Sequence, residues 1–374
     1  MSETELALSP LPWTARDLAR LEAGAFDRAP RLEDADVRRI SRDLDVWDAW
    51  PLADIDGTPR RWRSGELWFA LAAPAFADPE MRHAHARIHH FHRKDGRFRH
   101  LGATFPDGFT PGSREWSGSA TIEDGMVTQR FTAAGMRGER DLSFRQRLFA
   151  SRARLPESGE AFGDWSEPEE IVAPADLHYM TRHEGGGRAG AIKAFRDPSL
   201  FRAADGTRYV LFTASSAVRR GAHNGVIGLA RQKSDGMFAK LPPLVDAAGV
   251  NNELERPHIV SHGGLCYLFW STQAGVFAPG IAAPTGLYGA VSTGIGAPWR
   301  LLNGHGLVFA NPKDAPWQAY SWWVLPDLQV ASFVDYRGPG EGPKRGKPRG
   351  RAHFGGTFAP FLQLRLDGAR AGLG

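Results

Sequence analysis

The sequence predicts a large all-β protein. Three observations carry that reading: short apolar runs ending in turn residues, seven Asp-Gly pairs, and the lack of any βαβ alternation or glycine-rich phosphate loop. Asp-Gly is a strong hairpin signal because both residues tolerate positive φ. The chain of 374 residues holds 43 glycines, 26 prolines, 12 tryptophans and 22 phenylalanines. Turn formers and aromatics at that level favour short strands over long helices.

The first elements are helical. Thr14 caps a helix through Ala15-Arg16-Asp17-Leu18-Ala19-Arg20-Leu21, and a second helical stretch covers Leu32 to Arg39. Residues 1–40 thus form a helical segment packed on the strands that follow. From about residue 45 short strands dominate, among them Leu67–Leu71, Tyr209–Phe212, Val226–Ala230 and Cys266–Trp270. The pairs Asp56-Gly57, Asp95-Gly96, Asp107-Gly108, Asp124-Gly125, Asp205-Gly206, Asp235-Gly236 and Asp367-Gly368 punctuate them as an antiparallel meander. Such a chain hides its sheet edges as a sandwich, a barrel or a propeller. No tandem repeat is evident, which disfavours WD40 or kelch arrays. Residues 337–351, rich in Gly, Pro and basic side chains, read as a flexible solvated loop.

The bulk properties exclude several classes. Net charge is +4 with both signs interspersed, so nucleic acid is not the expected partner. No run approaches the roughly 20 apolar residues of a membrane span. The N-terminal stretch lacks the basic, apolar and small-residue regions of a secretory signal. Cys266 is the single cysteine, which forbids an intramolecular disulfide; in its apolar strand it is expected to be a buried, inert thiol. His83, His85, His89, His90, His92 and His100 form a histidine-rich stretch in which Ala86 to Phe98 reads as a hairpin around Lys94-Asp95-Gly96, so a metal site is not the expected reading.

Three acidic clusters sit in apolar or aromatic surroundings. They are Val46-Trp47-Asp48-Ala49-Trp50, Phe195-Arg196-Asp197-Pro198 and Asn252-Glu253-Leu254-Glu255-Arg256-Pro257-His258. A carboxylate placed among tryptophans is poorly hydrated once buried and needs a partner or a purpose. In a strand, Glu253 and Glu255 would face the same side. Retaining glycosyl transfer uses such groups: a carboxylate nucleophile and a carboxylic acid for the leaving oxygen, about 5–5.5 Å apart. Taken singly, each cluster is weak evidence and more often a structural feature than a catalytic one.

Together, in this order, they resemble the levansucrase and inulosucrase group of bacterial fructosyltransferases, glycoside hydrolase family 68. The likeness is greatest to the levansucrases of Gram-negative bacteria. It runs from Leu11-Pro12-Trp13-Thr14 to Phe354-Gly355-Gly356-Thr357-Phe358-Ala359-Pro360 and includes Glu115-Trp116-Ser117-Gly118-Ser119 and Gln318-Ala319-Tyr320-Ser321. The resemblance implies a five-bladed β-propeller with the site in a central funnel, formed by the whole chain as one catalytic domain. It implies Asp48 as nucleophile, Glu255 as acid/base and Asp197 as transition-state stabiliser. Trp47, Trp116 and Ser117 match residues that frame the fructosyl subsite. Arg196, Glu253 and Tyr320 match those on the glucosyl side, and Arg256 would lie against the acid/base.

The family's substrate is sucrose, and its acceptors are fructan, oligosaccharide or water. The sequence is therefore read as a levansucrase-type transferase, with sucrose hydrolysis by a β-fructofuranosidase as the alternative and a non-catalytic carbohydrate-binding propeller as a remote one. No cofactor is expected. A monomer or homodimer acting outside the cell suits the family, with the cytoplasm or periplasm as alternatives. Two departures matter. Gln273 stands where family members often carry Arg or His against the sugar beyond the cleaved bond. Asn252 stands where Gram-positive members bind calcium through an aspartate, so no metal site is expected.

Overall fold

The computed structural model describes residues 8–374, except 158, 173–176, 181–191, 339–346 and 349. Strands dominate, in five consecutive antiparallel units. Their inner strands are Leu44–Ala53, Arg114–Glu123, Phe195–Arg202, Glu255–His262 and Ala319–Val324. Each pairs with a second strand that follows it: Gly65–Pro74, Met126–Ala134, Arg208–Ser215, Leu265–Thr272 and Gln329–Tyr336. Further strands extend each unit outward. The inner strands touch one another in chain order, and the fifth touches the first.

Six of the seven Asp-Gly pairs lie in turns between antiparallel partners. Asp95-Gly96 joins Lys94 to Arg97 and Asp124-Gly125 joins Glu123 to Met126, with positive φ at all four turn residues. Asp107-Gly108 instead falls in the link from the first unit to the second.

The apolar cores lie between neighbouring units. Val46, Trp68 and Phe91 of the first pack with Leu325, Ala331 and Phe358 of the fifth. Leu148 and Ala150 of the second pack with Val210 and Phe212 of the third. Leu211, Leu229, Leu268 and Trp270 join the third to the fourth. A strand between two cores is buried on both faces. That is why Tyr209–Ala214 is buried throughout and Tyr209–Phe212 reads as a continuous apolar run rather than an alternating one.

The N-terminal segment covers the seam between the third and fourth units. Leu11 and Pro12 pair in parallel with Val245 and Asp246. Trp13 packs edge-on against Trp270 and Phe277. The helix Ala15–Ala23 forms as its sequence predicts: Thr14 accepts from the Asp17 amide and Asp17 bonds back to Thr14. The second expected helix does not form. Only a 3-10 turn, Asp34–Asp36, is present, and it buries none of its residues; with no apolar face to dock, a helix there has nothing to propagate against.

The centre of the basic segment 337–351 lies outside the described residues, and its ends are held by ion pairs. Arg337 pairs with Asp34 at 2.6 Å, Lys347 with Asp335 at 3.1 Å, and Arg351 with the fully buried Asp45 at 2.6 Å. Cys266 is half-buried rather than buried, because it sits one pair from the turn end of its hairpin, His262 opposite Leu265.

Candidate active site

Every inner strand is broken at one level. The register against the second strand slips between Trp47 and Trp50, Trp116 and Ser119, Arg196 and Ser199, Glu255 and His258, and Tyr320 and Trp323. Each slip is a bulge that re-aims the side chains at that level. Asp48, Asp197, Arg256 and Ser321 hold φ of 51°, 62°, 53° and 61° in four of them. L-residues adopt that region at a cost, so the bulges store strain where the chemistry is expected. In the second unit a glycine absorbs the distortion: a Cβ on Gly118 would lie 1.9 Å from the Arg130 carbonyl oxygen.

The bulge pairs are Trp47-Asp48, Trp116-Ser117, Arg196-Asp197, Glu255-Arg256 and Tyr320-Ser321. All but Arg256 and Ser321 line one cavity of about 520 Å³, together with Glu253 and Gln273. Of the eleven residues singled out in the sequence, Arg256 alone stays outside it. Its guanidinium is spent behind the site, donating to Ser321 Oγ at 2.8 Å and the Ala49 carbonyl at 2.7 Å, between the rings of Trp50 and Trp323. It therefore ties the bulges of the fourth, fifth and first units together.

The three carboxylates differ in surroundings. Asp48 is partly open to the cavity, and Ser117 Oγ donates to its Oδ2 at 2.8 Å. Asp197 is buried, accepting from Thr213 Oγ1 at 2.9 Å and the Arg256 amide at 3.2 Å. Burial pushes the Asp197 carboxyl up to about 6; Arg196 and Thr213 oppose the rise, and Glu255 and Asp48 add to it. Glu255 is gripped on both oxygens, by Arg196 Nη2 at 2.9 Å and by the Tyr320 hydroxyl. Burial and the Glu255 charge push the Tyr320 phenol well up, which keeps it a donor. Burial pulls the Arg196 pKa down, but Glu255, Glu253 and Asp197 together raise it. Arg196 Nη1 is buried with no protein partner among the described residues, a donor available to a ligand in the cavity.

Residues that sequence reasoning passed over complete the site. Thr132, Thr213 and Ser271 occupy equivalent places on second strands, opposite Trp116, Arg196 and Glu255. Each hydroxyl oxygen accepts the amide of a bulge in the next unit: Asp197 at 2.9 Å, Arg256 at 3.1 Å and Trp322 at 2.9 Å. Their signal was a hydroxyl set in an apolar run, as in Val210-Leu211-Phe212-Thr213. Glu80, Arg82, His83, Arg114, Asp335 and Lys347 also line the cavity. His83 thus serves the cavity wall, whereas His90 donates to the Glu160 carbonyl and His89 stacks on His100.

Carboxylates drawn together in an aromatic-lined cavity are the equipment of a glycosyl-transferring enzyme. The chain belongs to the levansucrase/invertase family, glycoside hydrolase family 68, whose model matches residues 4–226 and 223–372. A levansucrase of Rahnella aquatilis is 29% identical over 98% of this chain and 95% of its own. An extracellular sucrase of Zymomonas mobilis is 31% identical, over 87% of this chain and 84% of its own. Among solved structures, an inulosucrase from Halalkalicoccus jeotgali bound to kestose superposes with a TM-score of 0.87 at 32% identity, covering 98% of this chain and 95% of that one.

Proposed function

We infer that this chain is a fructosyltransferase acting on sucrose, and that it works with retention through a covalent fructosyl-enzyme on Asp48. The observation that carries the mechanism is the convergence of Asp48, Asp197 and Glu255 from the bulges of the first, third and fourth units on one cavity. The family membership and the relatives that are levansucrases and sucrases supply the substrate.

In the first step an Asp48 oxygen attacks the anomeric carbon of the fructosyl unit. The bond from that carbon to the glucosyl oxygen breaks, and Glu255 gives its proton to the departing oxygen. Ser117 holds Asp48 Oδ2, which leaves Oδ1 to attack. Asp197, buried and ionised, faces the positive charge that develops on the sugar. Arg196 and Tyr320 position Glu255, and Arg196 Nη1 has a donor left for a glucosyl hydroxyl. In the second step an acceptor hydroxyl or water gives its proton to Glu255 and attacks the same carbon, releasing Asp48.

The five units and their closed ring of inner strands support reading the whole chain as a single five-bladed β-propeller. One relative is named an extracellular sucrase, and the same place of action is proposed here. Among the described residues no helix is long and apolar enough to cross a membrane.

The test is incubation with sucrose, following glucose, fructose and polymer together. Wild type is expected to release more glucose than fructose, the difference being transferred fructosyl units. Removing the nucleophile in Asp48→Ala should cut glucose release by at least ~10⁴-fold. Undiminished glucose release from that variant would overturn the mechanism. Gln273 favours keeping hydrolysis as a second reading, in which fructose equals glucose mole for mole.

A further inference from the structure

Lys193 stands four residues ahead of Asp197, and Asn252 three residues ahead of Glu255. The Lys193 ammonium joins the two approaches. Its Nζ lies 2.8 Å from Asn252 Oδ1, 2.7 Å from Asn224 Oδ1, 2.9 Å from the Gly221 carbonyl and 2.7 Å from the Ala222 carbonyl. Four oxygens from two separate segments thus converge on one cation. None is charged, so the cage matches a cation and offers nothing to an apolar tip.

The cage is wired to the glucosyl side of the site. Asn252 Nδ2 donates to the Ile192 carbonyl at 3.0 Å and approaches Glu253 Oε1 at 3.4 Å. Asn251, beside it, accepts the Glu253 amide at 2.7 Å and is fixed by Thr272 at 2.9 Å. Glu253 lies 3.5 Å from Arg196, the residue that grips Glu255. Ile192, on the other flank of Lys193, lines the cavity itself.

We propose that Lys193 is a positioning residue for the proposed reaction: its ammonium is a built-in cation in an oxygen cage, and it sets the placement of Glu253 and, through Arg196, of Glu255. The proposal deepens the sucrose reading and rests on it. Hard and nitrogen cations share such oxygen cages, so a free ammonium ion can stand in for the side chain once that is cut back.

The experiment compares wild type with Lys193→Ala and Lys193→Met in sucrose kinetics and thermal melting. Each is run with methylammonium chloride or, at equal ionic strength, tetramethylammonium chloride. Loss of charge-assisted hydrogen bonds should raise the sucrose KM of both variants by about tenfold or more. Methylammonium should return Lys193→Ala most of the way in KM and melting temperature. Tetramethylammonium, which has no N–H, should not. Lys193→Met should stay unrescued, because its side chain fills the space. A KM within about twofold of wild type in Lys193→Met overturns the positioning role. Equal rescue by both salts, or by neither, overturns the cage. If Lys193→Ala does not fold alone, its recovery as folded protein in methylammonium and not in tetramethylammonium carries the same comparison. Wild type that leaves sucrose intact would overturn the parent reading instead, and the melting series would still decide the cage.

Discussion

Thr213 donates from Oγ1 to Asp197 Oδ2 at 2.9 Å while the same oxygen accepts the Arg256 amide at 3.1 Å. One hydroxyl on a second strand therefore fixes a carboxylate in its own unit and the bulge of the next. Its bond lowers the Asp197 pKa against the burial that raises it. In the proposed reaction Asp197 acts ionised, so activity should fall as the pH drops through about 6. Thr213→Val keeps the volume and removes the bond. The acid limb of kcat/KM should then move to higher pH, and kcat at pH 7 should fall about tenfold. A pH–rate profile with an unmoved acid limb would count against this role for Thr213.

Asp197 also bears on stability. Its folded pKa of about 6 stands above the ordinary 3.8, so the native state holds the proton more tightly than the unfolded chain does. The stability this gives is full below about pH 4 and is lost as the pH rises through about 6. Asp197→Asn has no charge to desolvate. It should be inactive yet more stable than wild type at pH 7.5, by on the order of 1–3 kcal/mol. The advantage should vanish near pH 4. Denaturant melts at the two pH values check it, and equal stability at pH 7.5 would refute it.

Ser117 Oγ donates to Asp48 Oδ2, and the proposed steps route no proton through it. Ser117→Ala leaves the Asp48 carboxylate in place but frees it to rotate. Misplacing an attacking atom slows chemistry more than binding. The expected result is a kcat lowered about 10- to 100-fold with a smaller change in KM. Burst kinetics in a quenched-flow instrument would place the loss in the glucose-releasing step. A loss confined to KM would assign Ser117 to binding alone.

The all-β class was legible because Asp-Gly turns and apolar runs act locally, and the helix at Ala15 was legible because Thr14 and Asp17 cap it within one turn. The ring was not, since its closure depends on contacts between inner strands hundreds of residues apart. The bulges were hidden for a related reason. Trp47-Asp48, Trp116-Ser117, Arg196-Asp197, Glu255-Arg256 and Tyr320-Ser321 share a structural position and almost no chemistry, so no repeat shows in the sequence. Arg256 lies outside the cavity lining, and its place next to Glu255 in the sequence does not reveal that φ turns positive there and carries the guanidinium to Ser321. The carboxylates themselves stood out by their aromatic setting and by the family resemblance.

Gln273 lines the cavity and begins the 3-10 turn Ala274–Val276, but its side chain makes no capping bond there. We propose that it meets a sugar beyond the cleaved bond. The fructosyl-enzyme partitions between water and a sugar hydroxyl, and only contacts to the acceptor alter that partition. An arginine at this place offers five donors in a rigid fork where the amide offers two. Gln273→Arg should raise the ratio of transfer to hydrolysis several-fold, equivalent to about 1 kcal/mol of acceptor binding. Glucose release reports the first step and should stay within about twofold. Free fructose measured against glucose at high sucrose reads the partition directly. The same fructose-to-glucose ratio in both proteins would show that the acceptor is chosen elsewhere on the cavity wall.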